Sequence, residues 1–339
     1  MARRRILRVS KYLLFTSLKT QFREAFTSYG YFASLQILEL IIKQELVESR
    51  LVASYMTSIG FPLWLGDRRK FTAKVNEACE AGFDYIELSF DYPWPIPDSS
   101  TPRSLVKLIR EVGLEVAIHG AWRDVRLASP ISEVREASVK YTIKTLEYAR
   151  EFNPMYVVLH ISTDQAVKEV GEYEELIAEA AITSIREILR SAEEYEVNVV
   201  FENVPSQYCA SIDQMKRIVA DIENIKVCFD IGHAQVHAIR AYKNRKIEVK
   251  ELVDIWFDEL GDKIRGVHVY DCLVQGRWID EHITPSPNSE SIKALISVVK
   301  SRSLSLDFTV VEAFRDTEGR DASPKSLSEV VSLLKKELL

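Results

Sequence analysis

Six short apolar segments of this chain end on, or just beyond, a histidine or a carboxylate, and few folds can use such an ordered series. They are VAIHG with His119, VVLHIS with His160, VVFEN with Glu202, VCFDIGH with Asp230 and His233, GVHVYD with His268, and TVVEAF with Glu312. A triplet, Asp280-Glu281-His282, falls between the last two. Read as strands, the segments are predicted to lie parallel in one barrel, so that every polar end reaches the same rim. Imidazole and carboxylate are the ligand types that hold zinc, manganese or cobalt. Taken singly, a histidine or glutamate at a strand end is equally well a hydrogen-bonded structural residue. Together, six charged ends would be stranded in a dry core unless something bound them. The series therefore reads as a metal enzyme.

Size agrees with that architecture. The chain has 339 residues, 47% of them hydrophobic, enough for one large core. From Met56 onward, short β-branched runs alternate with longer helical patterns. The expected strands are Thr57–Gly60, Tyr85–Ser89, Glu115–His119, Tyr156–Ile161, Asn198–Glu202, Lys226–Asp230, Arg265–Val269 and Phe308–Glu312. Helical spacing fills the intervals, for example Val139 to Phe152 and Leu176 to Ala192. Ser211 with Gln214 fits a capping box, Thr101-Pro102 and Ser323-Pro324 fit helix starts, and Gly82 and Gly113 fit helix ends. Eight strand–helix units in succession specify an α/β fold, a (β/α)8 TIM barrel, over residues 56–339.

Residues 1–55 break this pattern. They carry no strand–helix alternation and begin Ala2-Arg3-Arg4-Arg5, reading as a basic extension with helical stretches at Tyr12–Leu18 and Leu35–Leu51. A natural start at Met56 fits the mismatch equally well. No apolar run nears the roughly 20 residues that span a bilayer, so no membrane partner is expected. The four cysteines, Cys79, Cys209, Cys228 and Cys272, are scattered without a CxxC pair, which points to a reducing cytoplasm. The formal net charge is −6, and because the extension is basic the remainder is more acidic still. A DNA-binding reading needs a local basic patch at the site.

Some candidates invite other readings. His233 and His237 have the i, i+4 spacing of a helical zinc pair, but without the HExxH context His237 is expected to be structural or exposed. Asp271, three residues after His268, is placed to orient a ligand imidazole from behind. Glu87, closing the second strand, is a candidate substrate contact or a structural rim residue. Trp64, Trp94, Trp122 and Trp278 could wall a pocket, and Arg123, Arg126 and Arg277 could fork onto a phosphate. Core packing and solvation are the plainer roles for these residues.

At these residues the sequence resembles the xylose isomerase-like TIM barrels, the superfamily of endonuclease IV and many sugar-phosphate isomerases and epimerases. HGAWRDVRLASPISEVREASV is similar to the family's stretch after its first histidine ligand, and FDIGHA to its Asp-x-x-His turn. The likeness covers residues 56–339. It implies one to three divalent ions (Zn, Mn, Co or Mg). The first would take His119, His160 and Glu202. The second would share Glu202 and add Asp230, His268 and Glu312, and the third would take His233, Asp280 and His282. Glu202, Asp230, His268 and Glu312 are also the family's epimerase set.

Two enzymes fit the set. The favoured expectation is an isomerase or epimerase of a small sugar or sugar phosphate, with Glu202 and Glu312 moving protons at carbon. Substrate contacts would be Glu87, Trp122, Arg123 and Arg277. The alternative is a trinuclear zinc phosphodiesterase acting on abasic DNA, which would use the additional histidines. Against it, the expected long loop after the seventh strand, GRWIDEHITPSPNSES, which holds Asp280 and His282, lacks the glycine-rich run that follows Asp-x-His in many relatives. A non-catalytic metal or sugar sensor is the third class.

Overall fold

In a computed structural model, the described residues are 57–64, 70–91, 100–162, 173–205, 208–241, 248–275 and 278–338. The extension, Trp94 and Arg277 lie outside them, as do the side chains of Trp278 and Asp280. The strands are β1 (Ser58–Leu63), β2 (Tyr85–Ser89), β3 (Glu115–His119), β4 (Val157–His160), β5 (Val199–Glu202), β6 (Val227–Asp230), β7 (Ile264–Val269), β8 (Asp271–Gln275), β9 (Trp278–Ile283) and β10 (Phe308–Val311). The helices are α1 (Phe71–Ala81), α2 (Ser100–Glu111), α3 (Ser132–Ala149), α4 (Glu174–Glu194), α5 (Ile212–Asp221), α6 (Ile231–Ala241), α7 (Val249–Leu260), α8 (Glu290–Arg302) and α9 (Ser328–Leu338). Eight strands pair in parallel in the closed order β1-β10-β7-β6-β5-β4-β3-β2, the barrel expected from the alternation.

Local signals act where the sequence places them. Ser211 and Gln214 form the reciprocal capping box that starts α5. Gly82 and Gly113 take the left-handed conformation, at φ 91° and 87°, that ends α1 and follows α2. Two expectations change. β1 runs on to Leu63, through Pro62, because Ile59 to Leu63 are all buried and Pro62 still stands opposite Glu87. The stretch holding Asp280 and His282 is not a loop: β8 and β9 form a separate antiparallel hairpin.

Side-chain alternation divides the interior into layers. Tyr85, Ala117, Tyr156, Val158, Val200, Cys228, Phe308 and Val310 form one buried apolar cluster. Two residues further along the same strands stand Glu87, His119, His160, Glu202, Asp230 and Glu312. Successive side chains point to opposite faces, so a two-residue step keeps the same face. The polar residues thus form the layer above an apolar plug inside the barrel. A register shift between β6 and β7 keeps His268 in this layer. Val227 faces Ile264, yet Cys228 faces Gly266 and Asp230 faces His268, with Arg265 as the additional residue. Unshifted pairing would set Val267 beside Asp230.

The plug fits only because glycine stands opposite its aromatic rings. A Cβ on Gly266 would lie 2.1 Å from the Phe308 ring, and one on Gly60 would lie 2.2 Å from the ring of Tyr85. Phe308 is further held by stacking on Tyr156 at 3.7 Å between centroids. Gly266→Ala is expected to cost about 1–3 kcal/mol in urea unfolding, the usual penalty of overpacking. An unchanged midpoint would show that the plug has slack.

Candidate metal centre

Neighbouring strands deliver the donors side by side. His160 is the register partner of Glu202, and Asp230 of His268. The Nε2 atoms of His119 and His160 lie 3.1 Å apart. Glu202 Oε2 stands 3.0 Å from His160 Nε2 and 3.4 Å from His119 Nε2. Zinc bonds of about 2.0–2.1 Å set the donors of a tetrahedral ion roughly 3.3–3.4 Å apart, so these three atoms have suitable spacing for one ion. Glu202, Asp230, His268 and Glu312 form a second group, and His233, Glu281 and His282 a third; in each, the donor atoms lie within 4.8 Å of one another.

Tautomers are set from behind. A carbonyl can only accept, so a ring nitrogen facing one must carry the proton. His119 Nδ1 donates to Gly120 O at 3.0 Å, His233 Nδ1 to Asn203 O at 2.9 Å, and His282 Nδ1 to Glu312 O at 3.0 Å. In the neutral ring, each bond leaves the Nε2 lone pair free, as a metal-ligating imidazole requires. His268 is oriented the other way round. Its Nδ1 lies 3.1 Å from Glu312 Oε2 and 3.3 Å from Glu202 Oε1, while its Nε2 faces Glu87 Oε2 at 3.3 Å. Asp271, expected behind His268, instead engages Ser289 and Ser291 at the start of α8.

Burial makes this arrangement costly without a cation. Glu202, Asp230 and His268 are wholly buried, and Glu312 nearly so. Glu202 Oε1, Asp230 Oδ2 and His268 Nε2 have no hydrogen-bond partner, each a loss of about 1–3 kcal/mol. Protons compensate in part. Burial would lower His119, but Glu202, with Glu87 and Glu312 beyond, raises it to about 9. His233 reaches about 10 against its own burial, chiefly through Asp230 and Glu202. Burial pushes Asp230 well above the carboxylate range, with His233 and His268 opposing the rise and Glu202 and Glu312 adding to it. Glu312 falls to about 2 despite burial because His268 and His282 face it. Bound protons thus neutralise the anions that divalent cations would otherwise neutralise, and the donor set fits such ions.

The hairpin contributes its donors through a bulge. Asp271 faces Ile283 and Leu273 faces Asp280, so Glu281 and His282 together oppose Cys272. His282 adopts φ 58°, a left-handed conformation costing a non-glycine residue about 1–3 kcal/mol. Its carbonyl accepts from Phe314 N at 2.9 Å and Arg315 N at 3.2 Å, which holds it there. The bulge brings the consecutive residues Glu281 and His282 to one cavity, where strict alternation would separate them. Glu281 is not evident as a donor from sequence, because the Asp-x-His spacing directs attention to Asp280.

Other residues frame the site. Asn203, next to Glu202 in VVFEN, bridges two strand ends, receiving Asp230 N at 2.8 Å and donating to Asp230 O at 2.9 Å. Buried Asp91 accepts from Trp122 N at 3.2 Å and Arg123 N at 3.1 Å and also pairs with the Arg123 side chain. This fixes the Arg123 guanidinium 4.2 Å from the Trp122 ring centre, and the Trp122 ring itself lies 6.0 Å from His160. Trp122 and Arg123 stand at the mouth of a cavity of about 720 Å³, with Glu87 at its floor. His237, on α6, is half-buried and does not line it.

A family model described as xylose isomerase-like TIM barrel matches residues 75–337. The chain is 28% identical over 223 residues to the "Probable endonuclease 4" of Natranaerobius thermophilus, covering 62% of this chain and 75% of that protein. It is 24% identical over 218 residues to an uncharacterised protein of Methanocaldococcus jannaschii, covering 64% and 77%. Among solved structures, a D-tagatose 3-epimerase-like protein superposes with a TM-score of 0.60 at 20% identity, over 83% of this chain and 98% of that one. Endonuclease IV from Thermus thermophilus superposes with a TM-score of 0.54 at 20% identity, over 82% and 99%. At such identities the superpositions show a common fold, and the match of the family model shows the lineage: the chain belongs to the xylose isomerase-like TIM barrel family.

Proposed function

We propose that this protein is a divalent-metal-dependent hydrolase of phosphoesters, with the sugar–phosphate backbone at abasic DNA as the first substrate to test. The number of donors carries this reading: three groups of possible ligands converge on one cavity. An isomerase holding one ion would use Glu202, Asp230, His268 and Glu312 and leave His119, His160, His233 and His282 without a task. The rim supports the same choice. Arg123, Arg126, Arg240 and Arg315 all line the cavity beside its carboxylates, so an acidic chain gathers guanidinium groups where a phosphate would enter.

Bound divalent ions would supply Lewis-acid charge for a phosphoryl oxygen and acidify a water. The carbonyls of Gly120, Asn203 and Glu312 keep three imidazoles in the ligating tautomer. Asp91 holds Trp122 and Arg123 as a fixed wall, where the guanidinium can meet an anionic substrate. Arg240 pairs with Glu281 at 3.2 Å and positions that carboxylate beside His233 and His282. Imidazole-rich donor sets favour zinc over magnesium. The sugar isomerase or epimerase is the second reading. It rests on the buried Glu202–Asp230–His268–Glu312 group, which alone could hold one ion against adjacent sugar oxygens.

Elemental analysis of protein purified without added metal separates the two. Near three ions per chain fit the hydrolase, and near one fits the isomerase. Glu202→Gln should abolish either activity, since Glu202 belongs to two of the groups; unchanged turnover would remove the proposal. His282→Ala should cost a multinuclear hydrolase at least about a hundredfold in kcat and a one-ion isomerase much less. The pH dependence has a definite sign. His119 and His233, raised to about 9 and about 10, are cationic at neutral pH, whereas a metal takes neutral imidazole. Binding should therefore release protons, and affinity should climb with pH until those values are passed. Calorimetry in two buffers of different ionisation heat reads this directly, and proton uptake would contradict it.

A further inference from the structure

Beside and beneath the donors runs a row of polar side chains, Glu87 in their layer and two tyrosines below it, that the proposed chemistry does not use. Tyr85 Oη and Tyr156 Oη are 2.9 Å apart, and Tyr156 Oη donates to Glu87 Oε2 at 2.7 Å. The same Glu87 oxygen stands 3.3 Å from His268 Nε2. All four residues are essentially without solvent exposure. Their neighbours in the plug are apolar, and two tyrosines and a carboxylate are a costly way to fill a barrel when aliphatic side chains would serve. The glycine at position 60 makes room for Tyr85, and Phe308 packs flat on Tyr156, so the row is fixed in place.

We propose that Glu87 is a positioning residue for His268. Its carboxylate, held by Tyr156 with Tyr85 behind it, faces Nε2 across a 3.3 Å ion-pair contact that is not a formed hydrogen bond here. It favours the proton on that nitrogen, so that the Nδ1 lone pair is turned toward Glu202, Asp230 and Glu312. His119, His233 and His282 obtain the same service from backbone carbonyls, and His268 has no such bond among the described residues. A carboxylate behind a ligating imidazole also raises its basicity more than a carbonyl does. Glu87 therefore acts most directly on the ion held by His268 and reaches the His119–His160–Glu202 group only through its charge. This inference rests on the metal reading of the site.

Cobalt(II) titration of the metal-free full chain, followed by visible absorption against a competing chelator, tests it without an activity assay. Glu87→Gln keeps the length and an acceptor oxygen but loses the charge, whereas Glu87→Met loses the acceptor as well. Loss of such outer partners typically costs about 10- to 100-fold in metal affinity. One binding phase should weaken near the lower end of that range for Gln and near the upper end for Met. Tyr156→Phe should weaken the same phase less, and in every variant the other phases should shift less than this one. A purely structural Glu87 would lower the unfolding temperature and leave cobalt affinity alone. Affinity within twofold of wild type in Glu87→Gln and Tyr156→Phe overturns the inference. Wild-type protein that takes up no cobalt overturns the metal reading itself.

Discussion

Four carboxylates, Glu87, Glu202, Asp230 and Glu312, are packed into one buried layer of the barrel, and the rest of the site is organised around that anionic charge. Low dielectric magnifies their mutual repulsion, so they cannot all remain ionised without compensation. Five histidines, bound protons and donors from tyrosine, asparagine and backbone supply it. Each compensating group comes from a different strand end or loop, which ties the upper rim of the barrel to the charge balance at its centre. The apolar plug below closes that layer to water from the opposite end.

Geometry then distributes the donors. Eight parallel strands, each alternating its side chains, present one inward residue per strand at a given height. Two local irregularities depart from this regularity. One additional residue at Arg265 keeps His268 level with Asp230, and the bulge at Glu281 and His282 places neighbours in sequence into one cavity. Both concentrate donors more densely than regular pairing would allow.

Much of this is legible in the sequence. A strand ending in histidine or carboxylate signals an inward residue at the rim, and the recurrence of that signal after successive strands marks His119, His160, Glu202, Asp230, His268 and Glu312. Capping at Ser211 and the glycine stops are local and therefore readable. What escapes depends on relations between distant residues. Glu87 reads as a rim or substrate residue, because nothing in YIEL reveals Tyr156 on one side and His268 on the other. Proximity in sequence points Asp271 at His268, whereas its partners lie at the start of α8. Glu281 joins the cavity through a bulge, which cannot be read from alternation. The arginine-lined rim is hidden within an acidic total, since net charge says little about where charges cluster.

The hairpin carries a consequence for how such sites diversify. Glu281 and His282 arrive on one strand of a hairpin that, among the described residues, shares no ladder with the barrel, and His282 is held largely by backbone contacts to residues 312–315. Lengthening, shortening or straightening this one appendage would add or withdraw a set of possible donors while the eight staves and their own side chains stand unaltered. Lineages built on this scaffold could thus pass between chemistries by editing a detachable part, with the barrel itself left outside the experiment.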